Sequence, residues 1–182
     1  MRILGLCGSL RAASKNRAAL MAAAANAAVG CELVIWRGLA ELPPFSPDLD
    51  KYGIALPTVV EEFHAETGAA DGLLIACPEY AHGIPGTFKN ALDWLVGSTA
   101  FPGKPVALVN VAPHATHAQA QLREVLTTMS ALIVEEACLT IDLSGPPDRP
   151  LGSDAQAAIS SALSAFVAAI SAKLHQAGPK AS

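Results

Sequence analysis

Gly8-Ser9-Leu10-Arg11-Ala12-Ala13-Ser14-Lys15-Asn16-Arg17 separates a short apolar run from an alanine-rich segment. Backbone N–H groups at the start of a helix attract anions, and the helix dipole adds to that attraction. Ser9 and Ser14 bring hydroxyl donors, Arg11 a planar fork suited to phosphate oxygens, and Lys15 a second positive charge. Asn16 suits a cap position. Gly8 and Ser9 alone would be explained by a capped strand-to-helix turn; Arg11 and Lys15 in the same short loop favour a phosphate cradle. The loop is not a Walker loop, because it has no G-x-x-x-x-G-K-[ST]. Nor does it carry the dinucleotide fingerprint: Gly5 and Gly8 are wrongly spaced for G-x-G-x-x-G, and Gly5 lies inside the strand. A receiver domain would need acidic residues at the end of the first strand. A G-x-S-x-G nucleophile is ruled out by Leu10 after Ser9.

The second chemical stretch is PEYAHGIPGTFKNALDWL, Pro78 to Leu95. It leaves a buried-looking run and places two prolines, two glycines, a histidine and a Glu-Tyr pair ahead of a helix, where a plain connector needs only a few polar residues. Pro78, Pro85 and Gly86 stiffen such a turn or let it bend sharply. Lys89 and Asp93 are spaced i, i+4, the default pattern of a surface helix pair. His82, His114 and His117 should approach one rim, and His114-x-x-His117 has a spacing that could ligate a metal. No carboxylate or cysteine adjoins them in sequence to complete a ligand set, so no metal site is expected.

The elements that must position these stretches alternate along the chain. Strands are expected at Arg2–Cys7, Glu32–Trp36, Gly72–Cys77 and Pro105–Val111, with a last, irregular one within Leu132–Ile141. Helices are expected at Asn16–Val29, Thr58–Thr67, Gly86–Val96, Gln119–Met129 and Asp154–Gln176, and the proline-marked segment Gly38–Pro57 reads as extended surface chain. Such alternation means an α/β fold, a parallel sheet with helices on both faces. Ligands of these sheets sit beyond the carboxyl ends of the strands. The loops after the first, third and fourth strands, GSLRAASKNR, PEYAHGIPG and APHATHAQ, are therefore the ones to watch.

With 182 residues, one domain over 1–177 and a short flexible tail at 178–182 are expected. The chain is 52% apolar and only 15% charged, as suits strands buried on both faces. Its net charge of −4 lacks the basic footprint of a nucleic-acid binder. Cys7, Cys31, Cys77 and Cys138 lie far apart and form no C-x-x-C pair; they read as core residues of a reducing, cytoplasmic compartment. The N-terminal apolar run is too short for a signal peptide. Ile159, Leu163, Phe166, Val167, Ile170 and Leu174 recur on one helical face, so the C-terminal helix should pack on the sheet and not span a membrane.

Read together, GSLR-x-x-S-x-N and PEY-x-x-x-IPG-x-x-KNA-x-DW resemble the motifs of the NADPH-dependent FMN reductase family, over roughly residues 2–170. The resemblance implies a flavodoxin-like fold with five parallel strands in the order 2-1-3-4-5. It implies noncovalent FMN, its phosphate in the first loop with Ser9, Arg11, Ser14, Lys15 and Asn16. The ring edge would meet Pro78, Glu79, Tyr80, Ala81, His82 and Gly83, with Ala112, Pro113 and His114 on the ring's other side. Tyr80 would flank the ring or a neighbouring subunit. The implied reaction passes a hydride from NADPH or NADH through FMN to a small acceptor, a flavin, quinone, azo compound or metal ion, in ping-pong fashion, with no catalytic side chain required. A homodimer or homotetramer is implied, and the Lys89–Asp93 helix is then either a surface or an interface element. Two departures stand out. Ala81 replaces the Asn usual after PEY, and Pro113 and His114 stand where the third loop usually has glycines. Both would alter the ring contacts or weaken FMN binding. An α/β enzyme that keeps only the phosphate loop, or an FMN-binding electron-transfer module without enzymatic activity, are the alternatives; Arg11 and Lys15 favour the reductase.

Overall fold

Side chains of the apolar runs divide between two faces of a sheet with a period of two. In the computed structural model, which describes residues 1–51, 53–143, 145–146 and 149–176, β1 spans Arg2–Cys7, β2 Glu32–Ile35, β3 Gly72–Ala76 and β4 Pro105–Asn110. β5, Leu132–Ile133, and β6, Leu139–Thr140, are short. All pairings are parallel, in the order β2-β1-β3-β4-β5, with β6 also on β4. This is the expected flavodoxin-like ladder with a minor sixth piece.

The helices are α1 Lys15–Ala25, α2 Thr58–Ala69, α3 Gly86–Leu95, α4 Thr116–Thr128 and α5 Ser153–Gln176. Leu4 and Leu6 of β1, Leu73 and Ile75 of β3, and Val106 and Leu108 of β4 pack with α2, α3 and α4. Ile3 and Cys7, Leu74 and Ala76, and Ala107 and Val109 pack with α1 and α5. Continuous apolar runs are required because both faces are covered.

The last strand is irregular for a countable reason. Val106 pairs with Ile133 and Val109 with Leu139, so three steps along β4 oppose six on the partner. The extra residues form a 3₁₀ turn, Glu135–Ala137, whose Ala137 is buried beside α5. Trp36 and Cys77 fall just outside their strands, and α1 stops at Ala25, short of Val29. The expected tail at 178–182 lies outside the described residues.

By length and apolar composition α5 is the kind of helix that could cross a membrane. Here it covers the sheet through Ile159, Leu163, Phe166 and Ile170. It seats closely at Gly72, where a Cβ would stand 2.7 Å from Ile170 Cδ1 and 2.9 Å from Phe166 Cζ.

After β2 the chain makes a 3₁₀ turn, Gly38–Ala40, and runs extended toward α2. α3 grips this segment. Asn90 Nδ2 donates to the Pro43 carbonyl (2.9 Å) and Asn90 Oδ1 accepts from the Phe45 amide (2.7 Å). Trp94 Nε1 donates to the same Pro43 carbonyl (2.8 Å), and the Phe45 ring meets the indole edge-on at 5.1 Å. The K-N-A-x-D-W residues thus fasten a long connection, while Lys89 and Asp93 pair on the helix surface.

Candidate functional site

The loops after β1, β3 and β4 surround a cleft of about 300 Å³ beyond the strand ends, large enough for a small-molecule site. Ser9, Arg11, Ser14, Lys15 and Asn16 line it from the first loop, Pro78 and Tyr80 from the second, and Ala112 and His114 from the third. Val111, Asp142 and Leu143 also line it. Asp142 and Leu143 follow β6 and carried no motif; only their position after the final strand could have marked them.

The first loop starts at Gly8, whose amide donates to the Ala76 carbonyl (2.9 Å) and prolongs the β1–β3 ladder by one bond. Ser9 Oγ accepts from the Arg11 amide (3.4 Å). The N-cap of α1 is Ser14, whose hydroxyl accepts from the Arg17 amide (3.3 Å); Asn16, expected at the cap, sits inside the first turn. Beneath both serines lies the Cys7 thiol, donating to the Ser9 carbonyl at 3.5 Å and 3.9 Å from the Ser14 hydroxyl.

Two features of this helix start call for an anion and a polar ligand. The first turn reads Lys15-Asn16-Arg17 with no acidic residue, although a helix N-terminus favours negative charge. A bound phosphate reverses that mismatch. Asn16 is only 6% exposed, and its Oδ1 is buried with no hydrogen-bond partner. An orphaned buried acceptor on a cleft wall is costly until a ligand hydroxyl meets it. FMN offers both a phosphate and ribityl hydroxyls, so the residues present fit that group.

The second loop is built as a tight reversal. Tyr80 and Gly83 exchange backbone hydrogen bonds of 2.9 and 3.0 Å, and Ala81 and His82 between them have φ of 50° and 58°. Positive φ at both central positions is the mark of a type I′ turn, which favours Asn and Gly. Each left-handed non-glycine residue costs roughly 1–2 kcal/mol. The Ala81 departure is therefore a matter of backbone strain as well as of a lost side-chain contact.

That strain is held by α4, not by the cleft. Glu79 turns its carboxylate away: Oε2 accepts from the Ala118 amide (2.9 Å) in the first turn of α4, a helix with no side-chain cap from its own N-cap residue. Glu79 Oε1 lies 3.2 Å from His82 Nδ1, and the His82 and His117 rings meet edge-to-face at 4.5 Å. Gln121 Oε1 accepts from the Ile84 amide (2.8 Å) and closes the other end of the turn. Glu79, Ala81, His82, Gly83 and Pro113 thus stand behind or beside the cleft wall, while Tyr80, 55% exposed, lines it. Among the described residues, no group of three His, Cys, Asp or Glu side chains is arranged to hold a metal.

The Ala118 amide and the neighbouring His117 and His82 hold the Glu79 carboxyl below the usual carboxylate range, against the opposing effect of desolvation. A carboxyl whose folded value is depressed contributes stability above its unfolded value, near about 4.3, and loses it as pH falls through the folded value. Glu79→Gln keeps the shape and removes the charge. Its melting temperature should lie below wild type at pH 7, with the two curves converging below about pH 4. A gap that stays constant from pH 7 to pH 3 would show that the charge of Glu79 does not brace the turn.

Order of strands, cleft and helix start together define a flavodoxin-like nucleotide-binding α/β protein. The chain belongs to the NADPH-dependent FMN reductase family, whose profile matches residues 1–145. It is 34% identical over 131 residues to the NAD(P)H-dependent FMN reductase PA1204 of Pseudomonas aeruginosa, covering 69% of each chain. It is 28% identical over 141 residues to a quinone reductase of Escherichia coli K12, covering 75% of this chain and 74% of that one. In fold it is similar to FerB, a flavoenzyme NAD(P)H:(acceptor) oxidoreductase from Paracoccus denitrificans, with a TM-score of 0.71 at 22% identity over 94% of this chain and 97% of that one. The family uses FMN with NAD(P)H as reductant.

Proposed function

We propose that the protein is an FMN-dependent NAD(P)H oxidoreductase that reduces small acceptors, quinones foremost, in a ping-pong cycle. NAD(P)H, a proton and the acceptor give NAD(P)⁺ and the acceptor reduced by two electrons. FMN, when bound, supplies the centre that takes up a hydride equivalent and gives it out again. The observation that carries this reading is the basic, uncapped-by-acid start of α1 beside the orphaned Asn16, at the carboxyl ends of β1 and β3.

In this reading each residue has a task in binding or orientation. Ser9, Ser14, Arg11 and Lys15 hold the phosphate together with the amides of α1. Asn16 Oδ1 accepts from a ribityl hydroxyl. Backbone groups of Pro78–Gly83 that the Tyr80–Gly83 turn leaves free address the polar edge of the ring, Tyr80 flanks it, and Ala112 and His114, with Pro113 beside them, shape the opposite wall. Glu79 is engaged with α4, which suits a reaction that asks for positioning and no side-chain base. Residues 1–177 act as one FMN-binding unit. A cytoplasmic setting agrees with the four free cysteines, and the exposed Tyr80 suits a homodimer or homotetramer that covers it.

The test is an anaerobic visible spectrum of protein reconstituted with FMN and desalted, before and after NADPH. A flavin band that survives desalting and bleaches promptly is expected. Arg11→Ala should weaken FMN binding by about tenfold, the worth of a charge-assisted hydrogen bond to phosphate. Complete wash-out of FMN from the wild type would overturn the reading.

A further inference from the structure

The loop after β4 is locked by its own backbone. The Ala112 amide donates to Asn110 Oδ1 (3.1 Å), and Asn110 is itself buried. The Ala115 amide donates to the Ala112 carbonyl (2.8 Å), closing a turn whose second residue, Pro113, has its φ fixed by the ring. The Thr116 amide donates to the His114 carbonyl (2.9 Å), and Ala115 between them has φ −78° and ψ 61°, an inverse γ-turn. Ala115 is buried and anchors the two turns from below. The amides of Ala112, Ala115 and Thr116 are thus engaged within the loop, and Pro113 has none to offer. Among the described residues, neither the amide nor the imidazole of His114 has a hydrogen-bond partner. His114 is also the loop's one polar side chain on the cleft lining, where Tyr80 joins it from the second loop.

Reduction of a quinone to a hydroquinone takes two electrons and two protons. A hydride equivalent delivers both electrons and one proton, so the second proton must come from an acid. Among side-chain types, imidazole is the one that gives and regains a proton readily near neutral pH. His82 and His117 meet each other beside Glu79 and lie off the cleft lining. Among the described residues, the other charged or titratable side chains on that lining are Arg11 and Lys15 from the first loop, Tyr80 from the second and Asp142 beyond β6. Guanidinium, ammonium and phenol groups hold their protons well above neutrality, and a carboxylate has none to give there. We propose that His114 is the proton donor to the acceptor. An imidazolium N–H bond breaks as an O–H bond forms on a quinone carbonyl oxygen, while the hydride equivalent from NAD(P)H supplies the electron pair and the other hydrogen. The neutral ring then regains its proton from solvent, to which His114 is exposed. This rests on the reading of the protein as an oxidoreductase acting on quinones. The two locked turns fix where the ring can reach, as the positioning of an acid requires.

Anaerobic rapid mixing of the reduced, FMN-loaded protein with 1,4-benzoquinone and with ferricyanide tests the assignment, because ferricyanide takes electrons and no proton. In His114→Gln the ratio of the rate constant for benzoquinone to that for ferricyanide should fall by about a hundredfold, the lower end of what a general acid supplies. In the wild type the same ratio should fall as pH rises through the range in which an imidazole loses its proton, and in the variant it should be flat. Proton NMR of the oxidised, FMN-loaded protein gives a readout without turnover: the ring resonance missing from His114→Gln should shift when hydroquinone is added. An unchanged ratio in the variant, or a ring resonance indifferent to hydroquinone, would overturn the assignment. Absence of bleaching by NADPH in the wild type removes the proposed activity and this inference with it. Prompt bleaching with an unchanged ratio removes this inference alone.

Discussion

Gly8→Val is expected to weaken FMN binding by more than about tenfold and to destabilise the fold by about 2–3 kcal/mol. The loops after β1 and β3 pass close to each other at this residue. A Cβ on Gly8 would stand 2.8 Å from Cys77 Sγ, 3.2 Å from Cys77 Cα and 3.2 Å from Pro78 Cδ. Cys77 can swing its thiol aside, but its Cα and the Pro78 ring belong to rigid chain. The Gly8 amide is also tied to the Ala76 carbonyl (2.9 Å), so the first loop cannot retreat without losing a bond of the ladder. The added methyls therefore force the two loops apart at the point where one carries Ser9 and the other Pro78. Gly8→Ala should fall between wild type and Gly8→Val. Urea midpoints measure the stability part, and quenching of FMN fluorescence on titration measures the binding part. Wild-type FMN affinity in Gly8→Val would show that the spacing of the loops does not set the cofactor site.

How far the sequence discloses such a site depends on the range over which its contacts act. The strands were legible because burial on both faces demands unbroken apolar runs, as in Gly72–Ala76. The first loop was legible because its features are local: a helix start, two hydroxyls and two cations within one short segment that lines the cleft. The fastening of the second loop was not. Glu79 caps a helix 39 positions away, and Gln121 reaches the Ile84 amide across 37. Capping patterns are recognisable in sequence only when cap and helix are neighbours. Glu79 therefore reads as a ring contact from its place in PEY, while in the fold it serves α4. Ala81 illustrates a related limit. Its type departs from the usual pattern, but only the φ of 50° says what the departure costs. The final strand was expected to be irregular, yet nothing in its sequence marked Asp142 and Leu143, just beyond β6, as lining the cleft.

Trp94→Ala is expected to cost about 3–5 kcal/mol, the usual range for removing a fully buried aromatic side chain. Trp94 has no exposed surface and lies in the core shared by α2, α3 and α4. Its ring also carries a polar task, because Nε1 donates to the Pro43 carbonyl (2.8 Å) while Asn90 Nδ2 donates to the same oxygen (2.9 Å). Removing the indole therefore leaves Pro43 one partner and does not orphan it. Most of the loss must come from the cavity and from the edge contact with Phe45. Trp94→Phe separates the two contributions, since it keeps a ring and deletes only the N–H and part of the volume; it should cost about 1–2 kcal/mol. Chemical denaturation of the three proteins gives the ranking, and equal costs for Phe and Ala would mean that the hydrogen bond, not the packing, governs this position. The effect should reach the site as well. α3 begins at Gly86, three residues after the turn at Tyr80–Gly83 closes. A loosened α3 thus releases one end of the second loop while α4 still holds the other. FMN binds the folded chain, so cofactor at about a hundred times its Kd should return up to about 2.7 kcal/mol to each protein. Because Trp94→Ala weakens binding through α3, its recovery at a fixed FMN concentration should be smaller than that of Trp94→Phe, which ties the buried end of the K-N-A-x-D-W motif to the cleft it does not touch.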